Sequence, residues 1–215
     1  KFAAYMFVSN VAELLPFLLM VFWGIPLALN VLLVLLVDLG TDMLPALALG
    51  AEPPEPGIME RPPRDPRERL LSPRVLARAL LFLGGLEALG GMAGFYWVNW
   101  SSGWRPGEAL ANTGPVYAQA TAMTFASIVA GQIGAVFALR TERAPFWRIA
   151  WTGNRLLLAG VAFELGIVAA VSYLPPLQRL FETGPLRLED WALLPLWTLL
   201  VFGADEARKA ALRQC

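Results

Sequence analysis

Acidic residues within long apolar segments are the feature of this sequence that most clearly suggests chemistry. Asp38 and Asp42 lie one helical turn apart in the stretch VLLVLLVDLGTDMLPALALG, residues 31–50, which otherwise has the composition of a membrane span. A charged side chain near the middle of a bilayer costs about 2.5–3.5 kcal/mol on insertion scales. Mutual hydrogen bonding, protonation or a bound cation must offset that cost. Carboxylate, amide and hydroxyl oxygens suit hard cations such as Na⁺, K⁺ or Ca²⁺ rather than soft metals.

Several other polar residues share this apolar setting. They are Ser9, Asn10, Glu13, Glu87, Gln132 and Glu164. Glu13 and Asp38 lie at similar distances, about 18–20 Å at 1.5 Å per residue, from the tight turn Gly24-Ile25-Pro26. Asn10 and Asp42 form a second matched pair, one helical turn further from the tight turn. Asn10 shares a helix face with Glu13, and Asp42 shares one with Asp38. We therefore expect an ion pathway where Glu13, Asp38 and Asp42 meet.

Two residues of the later apolar blocks are expected at the same level of the membrane. Gln132 lies about eight residues in from Arg140, and Glu164 about nine in from Arg155. The alternative is that the intramembrane acids are protonated and serve only to join helices, as Asn and Gln side chains can. For Glu87, a lone acid in its block, the structural and the functional interpretation both stay open.

The helices carrying the acids contain residues that weaken them locally. Gly40 and Thr41 separate the two aspartates and Pro45 follows, so unwinding at this point would free backbone carbonyls for a cation. Pro16 removes the hydrogen bond to the carbonyl of Ala12 in the first block.

The elements that must position these residues are membrane helices. The chain of 215 residues is 57% hydrophobic and 16% charged, whereas a soluble domain is about one-quarter charged. Its apolar blocks reach the roughly 20 residues that span a bilayer. They lie at about 2–23, 27–49, 75–99, 116–139, 156–174 and 191–207. We therefore predict an all-α integral membrane protein, a bundle of six transmembrane helices.

Arginine is concentrated in alternate connections. Residues 50–74, residues 140–155 and the C-terminal tail are rich in Arg or Lys, while the other connections carry little positive charge. By the positive-inside rule both termini are then cytoplasmic, with the plasma (inner) membrane as the expected location. We divide the chain into a transmembrane hairpin with the main cation ligands at 1–49, a cytoplasmic Pro/Arg-rich loop at 50–74, and four further transmembrane helices with a cytoplasmic tail at 75–215.

Composition also excludes several kinds of chemistry. Histidine is absent and Cys215 is the one cysteine, which removes His-based acid–base catalysis, Cys/His metal sites and disulfides. The formal net charge is zero, and we expect the lipid bilayer but no nucleic acid as a partner. The chain starts at Lys1 inside an apolar block, so we expect it to be part of a longer protein. The Asp205–Glu206 pair beside Arg208 and Lys209 is interpreted as an interfacial charge cluster rather than a ligand set.

Several stretches resemble the C-terminal membrane half of type II P-type cation ATPases. They are SNVAELLPFLL (9–19), GIPLAL (24–29), VDLGTDMLPALALG (37–50) and PGIMERPPRDPRERLLS (56–72), with looser likeness at LEALGG (86–91), ASIVAGQ (126–132), FELGIVAAVSYLPPL (163–177) and VFGADEARK (201–209). The six spans would correspond to the family's fifth to tenth helices. The resemblance implies cation coordination by Asn10, Glu13, Asp38 and Asp42, with Ser9 beside them.

The resemblance also bears on the ion. An aspartate at Asp38 and a serine at Ser9 look more like the Na⁺/K⁺-ATPase branch, whereas the IMERPPR loop is similar to calcium pumps. Three further residues match positions near the additional sodium site of the sodium pumps: Tyr5, Gln132 and Glu164. Ala135 replaces an expected aspartate there, and Glu87 replaces a glutamine.

The motifs of ATP hydrolysis are not in this sequence, which has no DKTGT and no TGE. We therefore expect no catalysis by this region alone, with ATP and Mg²⁺ bound elsewhere in a full-length parent. Its partners would be the parent's remaining transmembrane helices and its cytoplasmic domains, one of which the loop 50–74 would contact.

Alternative functions belong to other classes. The chain could be a non-catalytic membrane scaffold subunit whose acids only pack helices, or part of a calcium-specific pump. A channel or secondary transporter would need a continuous pathway or a repeated half, and the sequence shows neither.

Overall fold

The computed structural model describes residues 1–54, 71–142 and 144–214, and all regular secondary structure in these ranges is helical. The helices are α1 (Phe2–Trp23), α2 (Val31–Gly50), α3 (Pro73–Ser101), α4 (Gly114–Leu139), α5 (Arg155–Tyr173), α6 (Pro175–Phe181) and α7 (Leu188–Gln214). Two short 3-10 turns, Phe146–Arg148 and Trp151–Gly153, connect α4 to α5. The predicted all-α class is confirmed. Most of the loop 50–74, with its expected docking role, lies outside the described residues.

Five of the helices in the described part of the chain, α1 to α5, are long and apolar enough to cross a membrane. The sixth predicted span, 191–207, lies within α7 and is helical as expected. It is not among the five because charged residues stand at both ends of α7 and shorten its apolar stretch: Glu189 and Asp190 in the first turn, and Asp205 onwards near the end. The chain is an integral membrane protein of packed helices.

Helix α4 forms the centre of the bundle. Almost every residue from Gln119 to Leu139 is buried, and α4 packs against α1, α2, α3, α5 and α7. Small residues allow these close approaches, as is usual between membrane helices. A Cβ atom on Gly134 would lie 2.7 Å from the Thr198 carbonyl oxygen of α7, so only glycine fits at this crossing. A polar side chain on α4 is therefore placed between several helices at once.

Two of the spans contain a π-helical turn, over Val37–Thr41 in α2 and over Ala77–Leu83 in α3. The Asp42 backbone N–H donates to the Val37 carbonyl at 2.9 Å, five residues back. The expected weakness between the aspartates thus takes the form of a wider turn, and the unwinding considered from the sequence is not observed. Most backbone N–H and C=O groups remain hydrogen-bonded in the wider turn. Such turns often occur at functional sites.

A small polar cluster joins the C-terminal ends of α2 and α4 to the start of α5. Asn154 accepts a hydrogen bond from the Leu157 N–H at 3.0 Å, which caps α5. Its amide donates to the Ala48 carbonyl at 2.8 Å and to Glu52 Oε2 at 2.6 Å. Glu52 also pairs with Arg140 at 2.8 Å. One side chain therefore holds the ends of two spans together.

We expect Asn154→Ala to lower the free energy of unfolding by about 2 kcal/mol, because it removes a helix cap and leaves buried acceptors unpaired. The measurement is the thermal inactivation midpoint of the complete protein in detergent. Asn112→Ala, at an exposed loop residue, is the matched control and should have no effect. Equal midpoints for the two variants would contradict this prediction.

Candidate cation site

Three carboxylates from α1 and α2 come together beside α4. One ligand oxygen each from Glu13, Asp38 and Asp42 lies within 4.8 Å of the other two. Glu13 and Asp42 are buried and Asp38 is half-buried. Helical spacing explains the grouping, because Asp38 and Asp42 are close to one turn apart on α2 and Glu13 faces them from α1. We refer to these three residues as the acidic cluster.

Gln132 of α4 connects the acidic cluster to its surroundings. Its amide nitrogen donates to Asp42 Oδ1 at 2.5 Å and to Ser9 Oγ at 2.8 Å. Ser9 in turn lies 3.5 Å from Glu13 Oε1, to which its hydroxyl donates. The amide of Gln132 thus uses both of its hydrogens on α1 and α2, which fixes its orientation. Ser9 and Gln132, both predicted from the sequence, are completely buried in this network.

Two further residues hold Asp42 and Gln132 in place. Tyr5 donates its hydroxyl hydrogen to Asp42 Oδ1 at 3.3 Å. Thr41 has its hydroxyl 3.2 Å from Gln132 Oε1 and 3.1 Å from the Val37 carbonyl. From the sequence, Thr41 was identified only as a residue that weakens the helix. Its polar side chain, next to the intramembrane Asp42, could have indicated that it belongs to the site. Tyr5 was noted through the family resemblance alone.

The two remaining predicted residues, Glu164 and Asn10, differ in their burial. Glu164 on α5 is fully buried, and neither of its carboxylate oxygens has a hydrogen-bond partner in the described ranges. It lies within electrostatic range of Asp42. Asn10 is exposed on the surface of α1, so the structure does not bring its side chain to the acidic cluster. Its predicted role as a ligand remains a prediction.

The carboxylates of the acidic cluster repel one another, and this repulsion favours a positively charged ligand. Two carboxylates at this separation repel by about 3–4 kcal/mol at an effective dielectric constant of 20. Within the described part of the chain, no Lys or Arg forms an ion pair with Glu13, Asp38 or Asp42. Asp42 Oδ2 has no hydrogen-bond donor there either, although the atom is buried. The group can therefore bind a hard cation or protons, and its oxygen-only chemistry does not suit soft metals.

The acidic residues near the end of α7 belong to a separate network. Asp205 is fully buried and pairs with Arg78 of α3 at 2.6 Å and with Arg208 at 2.7 Å. Lys209 lies 3.2 Å from the same carboxylate. Lys209 also pairs with Glu206, so both acids of this network have basic partners, unlike the three of the acidic cluster. The sequence-based interpretation that they are not ligands stays a prediction. They are more buried than an interfacial cluster would be.

Comparison with known proteins shows which family the chain is related to. The family described as "Cation transporting ATPase, C-terminus" matches residues 26–211. Sodium/potassium-transporting ATPase subunit alpha-2 of Gallus gallus and subunit alpha-3 of Homo sapiens are each 31% identical over 239 aligned residues, which include the whole chain. Subunit alpha-4 of Rattus norvegicus is 30% identical over the same length. The chain spans 23–24% of the length of these relatives. On this evidence the chain belongs to the family of P-type cation-transporting ATPases, as a C-terminal membrane region.

Proposed function

We propose that this region binds the transported cations of a P-type ATPase, within the membrane domain of the complete pump. The acidic cluster is the observation that carries the proposal. Three carboxylates share one small volume, and no basic side chain of the described residues pairs with them. An inserted cation would offset their repulsion and the cost of burying them.

The hydrogen bonds around the acidic cluster support binding rather than helix joining alone. Gln132 and Tyr5 both donate to Asp42 Oδ1, and Ser9 donates to Glu13 Oε1. That leaves Asp42 Oδ2 without a donor. A site whose ligand atoms are oriented in advance loses less free energy when the ion binds. A packing role alone would leave no reason to keep a buried oxygen unpaired.

The proposed cargo is Na⁺ or K⁺. Curated relatives at 30–31% identity carry the name sodium/potassium-transporting ATPase. Oxygen ligands alone do not separate these ions from Ca²⁺, which also takes carboxylate ligands. Calcium transport is the alternative, supported by the calcium-pump-like IMERPPR stretch at residues 58–64.

We further propose that ATP and Mg²⁺ act in cytoplasmic domains of the parent chain, which drive movements of this region. The region would lie in a plasma (inner) membrane, with both of its termini facing the cytoplasm. The support is the concentration of Arg and Lys in residues 50–74, residues 140–155 and the tail. The three divisions 1–49, 50–74 and 75–215 follow from the same assignment.

The test is cation-stimulated ATP hydrolysis by the complete ATPase in detergent–lipid micelles. We expect saturable stimulation by Na⁺ with K⁺. We also expect Glu13→Gln to raise the half-saturating cation concentration about tenfold, equivalent to about 1.4 kcal/mol, because it removes one of the clustered charges.

Glu108→Gln is the matched control, since Glu108 is an exposed loop residue far from the acidic cluster in the fold. Its half-saturating concentration should equal that of the unmodified protein. Stimulation by Ca²⁺ alone would replace the proposed cargo with calcium. An unchanged cation dependence in Glu13→Gln would remove the proposed binding role of the acidic cluster.

A further inference from the structure

Glu87 is a buried acid that is not part of the cation site proposed above. It lies on α3, a helix that contributes none of the residues predicted to bind the cation. Its side chain is 0% exposed, and neither carboxylate oxygen has a hydrogen-bond donor among the residues that the structure describes. None of those residues forms an ion pair with it. Such a group is unusual, because buried polar atoms are nearly always partnered.

A glycine on α4 makes room for Glu87. A Cβ atom added to Gly131 would lie 2.8 Å from Glu87 Cγ and 3.4 Å from its Cα. Any larger residue at Gly131 would therefore push this side chain away. Gly131 directly precedes Gln132, whose amide holds Asp42 and Ser9. Glu87 thus meets α4 at the level of the cation site.

The neighbours of Glu87 are themselves acidic. Its carboxylate interacts electrostatically with those of Asp42, Glu13 and Glu164. Glu164 is also fully buried without a donor on either oxygen. Helix packing does not account for these groups, because an apolar residue or an amide would fill the space without the cost of a buried carboxyl group. A positively charged ligand accounts for both.

We propose that Glu87 is a further cation-binding residue, which extends the site from α1 and α2 to α3 and adds a charged ligand for one more monovalent cation. The inference rests on the proposed function, since it assumes that the acidic cluster binds the transported ion. The extra negative charge raises the number of positive charges that the region holds at saturation. The ligand class is a hard monovalent cation bound by carboxylate oxygens.

The test is direct binding of radiolabelled Na⁺, and of radiolabelled Rb⁺ in place of K⁺, to the complete ATPase. We expect Glu87→Gln to bind one cation fewer per molecule at saturation and to show a lower Hill coefficient. Glu87→Asp keeps the charge on a shorter side chain, and should retain the number of bound cations with a weaker affinity. A purely structural residue would not separate these two variants.

Gly131→Ala gives the same test without altering an acidic residue. The added methyl group displaces Glu87, so we expect the same loss of one bound cation, and this variant replaces Glu87→Gln if the latter does not accumulate. An unchanged number of bound cations in the variant measured would overturn the inference. It would leave the proposed function in place provided that Glu13→Gln still weakens cation binding. If Glu13→Gln also had no effect, both proposals would fall.

Discussion

Asp42→Asn in the complete ATPase should raise the half-saturating cation concentration by about 100-fold, or about 2.7 kcal/mol, the largest loss for any residue of the acidic cluster. Asp42 is completely buried and sits where the hydrogen bonds from Gln132 and Tyr5 converge. Asparagine keeps the shape but removes the charge. Its NH₂ group would also present donors to neighbouring donors or to the cation, whichever way the amide turns. Cation-stimulated ATP hydrolysis measures the effect.

Asp190 provides a matched control for Asp42. It is likewise a buried aspartate that accepts a hydrogen bond from a glutamine of α4, here Gln119 at 2.7 Å. It also accepts from the backbone N–H of Arg187 at 2.8 Å, at the start of α7. Asp190→Asn should lower stability while leaving cation affinity unchanged. Equal losses of affinity in the two variants would mean that Asp42 acts through folding, contrary to the prediction.

Much of the fold could be predicted from hydropathy because a bilayer leaves few choices. Only continuous helices satisfy every backbone group of a long apolar block, so the block boundaries largely give the helices. Helix geometry could not be read in the same way. The turn at Val37–Thr41 adds a residue to the helix rather than breaking it, and propensity does not separate these outcomes. Nor does the local sequence show that Gln132 of α4 lies opposite Thr41 in this turn.

The cation site was predictable to the extent that it follows helix periodicity. Glu13, Asp38 and Asp42 were identified by their spacing and their distance from a shared turn, and their side chains do converge. Asn10 shows the limit of this reasoning. Spacing along one helix tells which residues share a face, but the neighbouring helices decide which part of that face is covered. Asn10 falls on the uncovered part and Glu13 on the covered part.

The ion pairs between distant segments could not be predicted from local sequence at all. Arg78 lies in α3 and Asp205 in α7, 127 residues later. In the sequence, Asp205 stands beside Arg208 and Lys209, which suggested a local surface cluster. Only the packing of α3 and α7 around the end of α4 shows that these charges are enclosed by the protein.

Removing the charge of Asp205 should destabilise the bundle more than any other change considered. Its carboxylate forms ion pairs with Arg78, Arg208 and Lys209. Arg78 and Lys209 also donate to the Ala138 carbonyl near the end of α4, at 3.1 and 2.8 Å. Breaking a buried ion pair by removing one partner typically costs about 3–5 kcal/mol. We expect a loss of this size for Asp205→Asn, measured as a shorter half-life of ATPase activity at a fixed elevated temperature and as a lower unfolding midpoint.

The control and the compensating variant separate charge balance from general damage to α7. Glu189→Gln removes an exposed charge from the first turn of the same helix and should shift stability by less than about 0.5 kcal/mol. Arg78→Met in the Asp205→Asn background removes one of the charges left unpaired, while Lys209 keeps Glu206 and Thr141 as partners. We therefore expect the double variant to recover part of the lost stability. The opposite result, a double variant less stable than Asp205→Asn, would contradict this expectation. It would show that Arg78 stabilises the protein even without the Asp205 carboxylate, through its hydrogen bonds to backbone carbonyl groups at the end of α4.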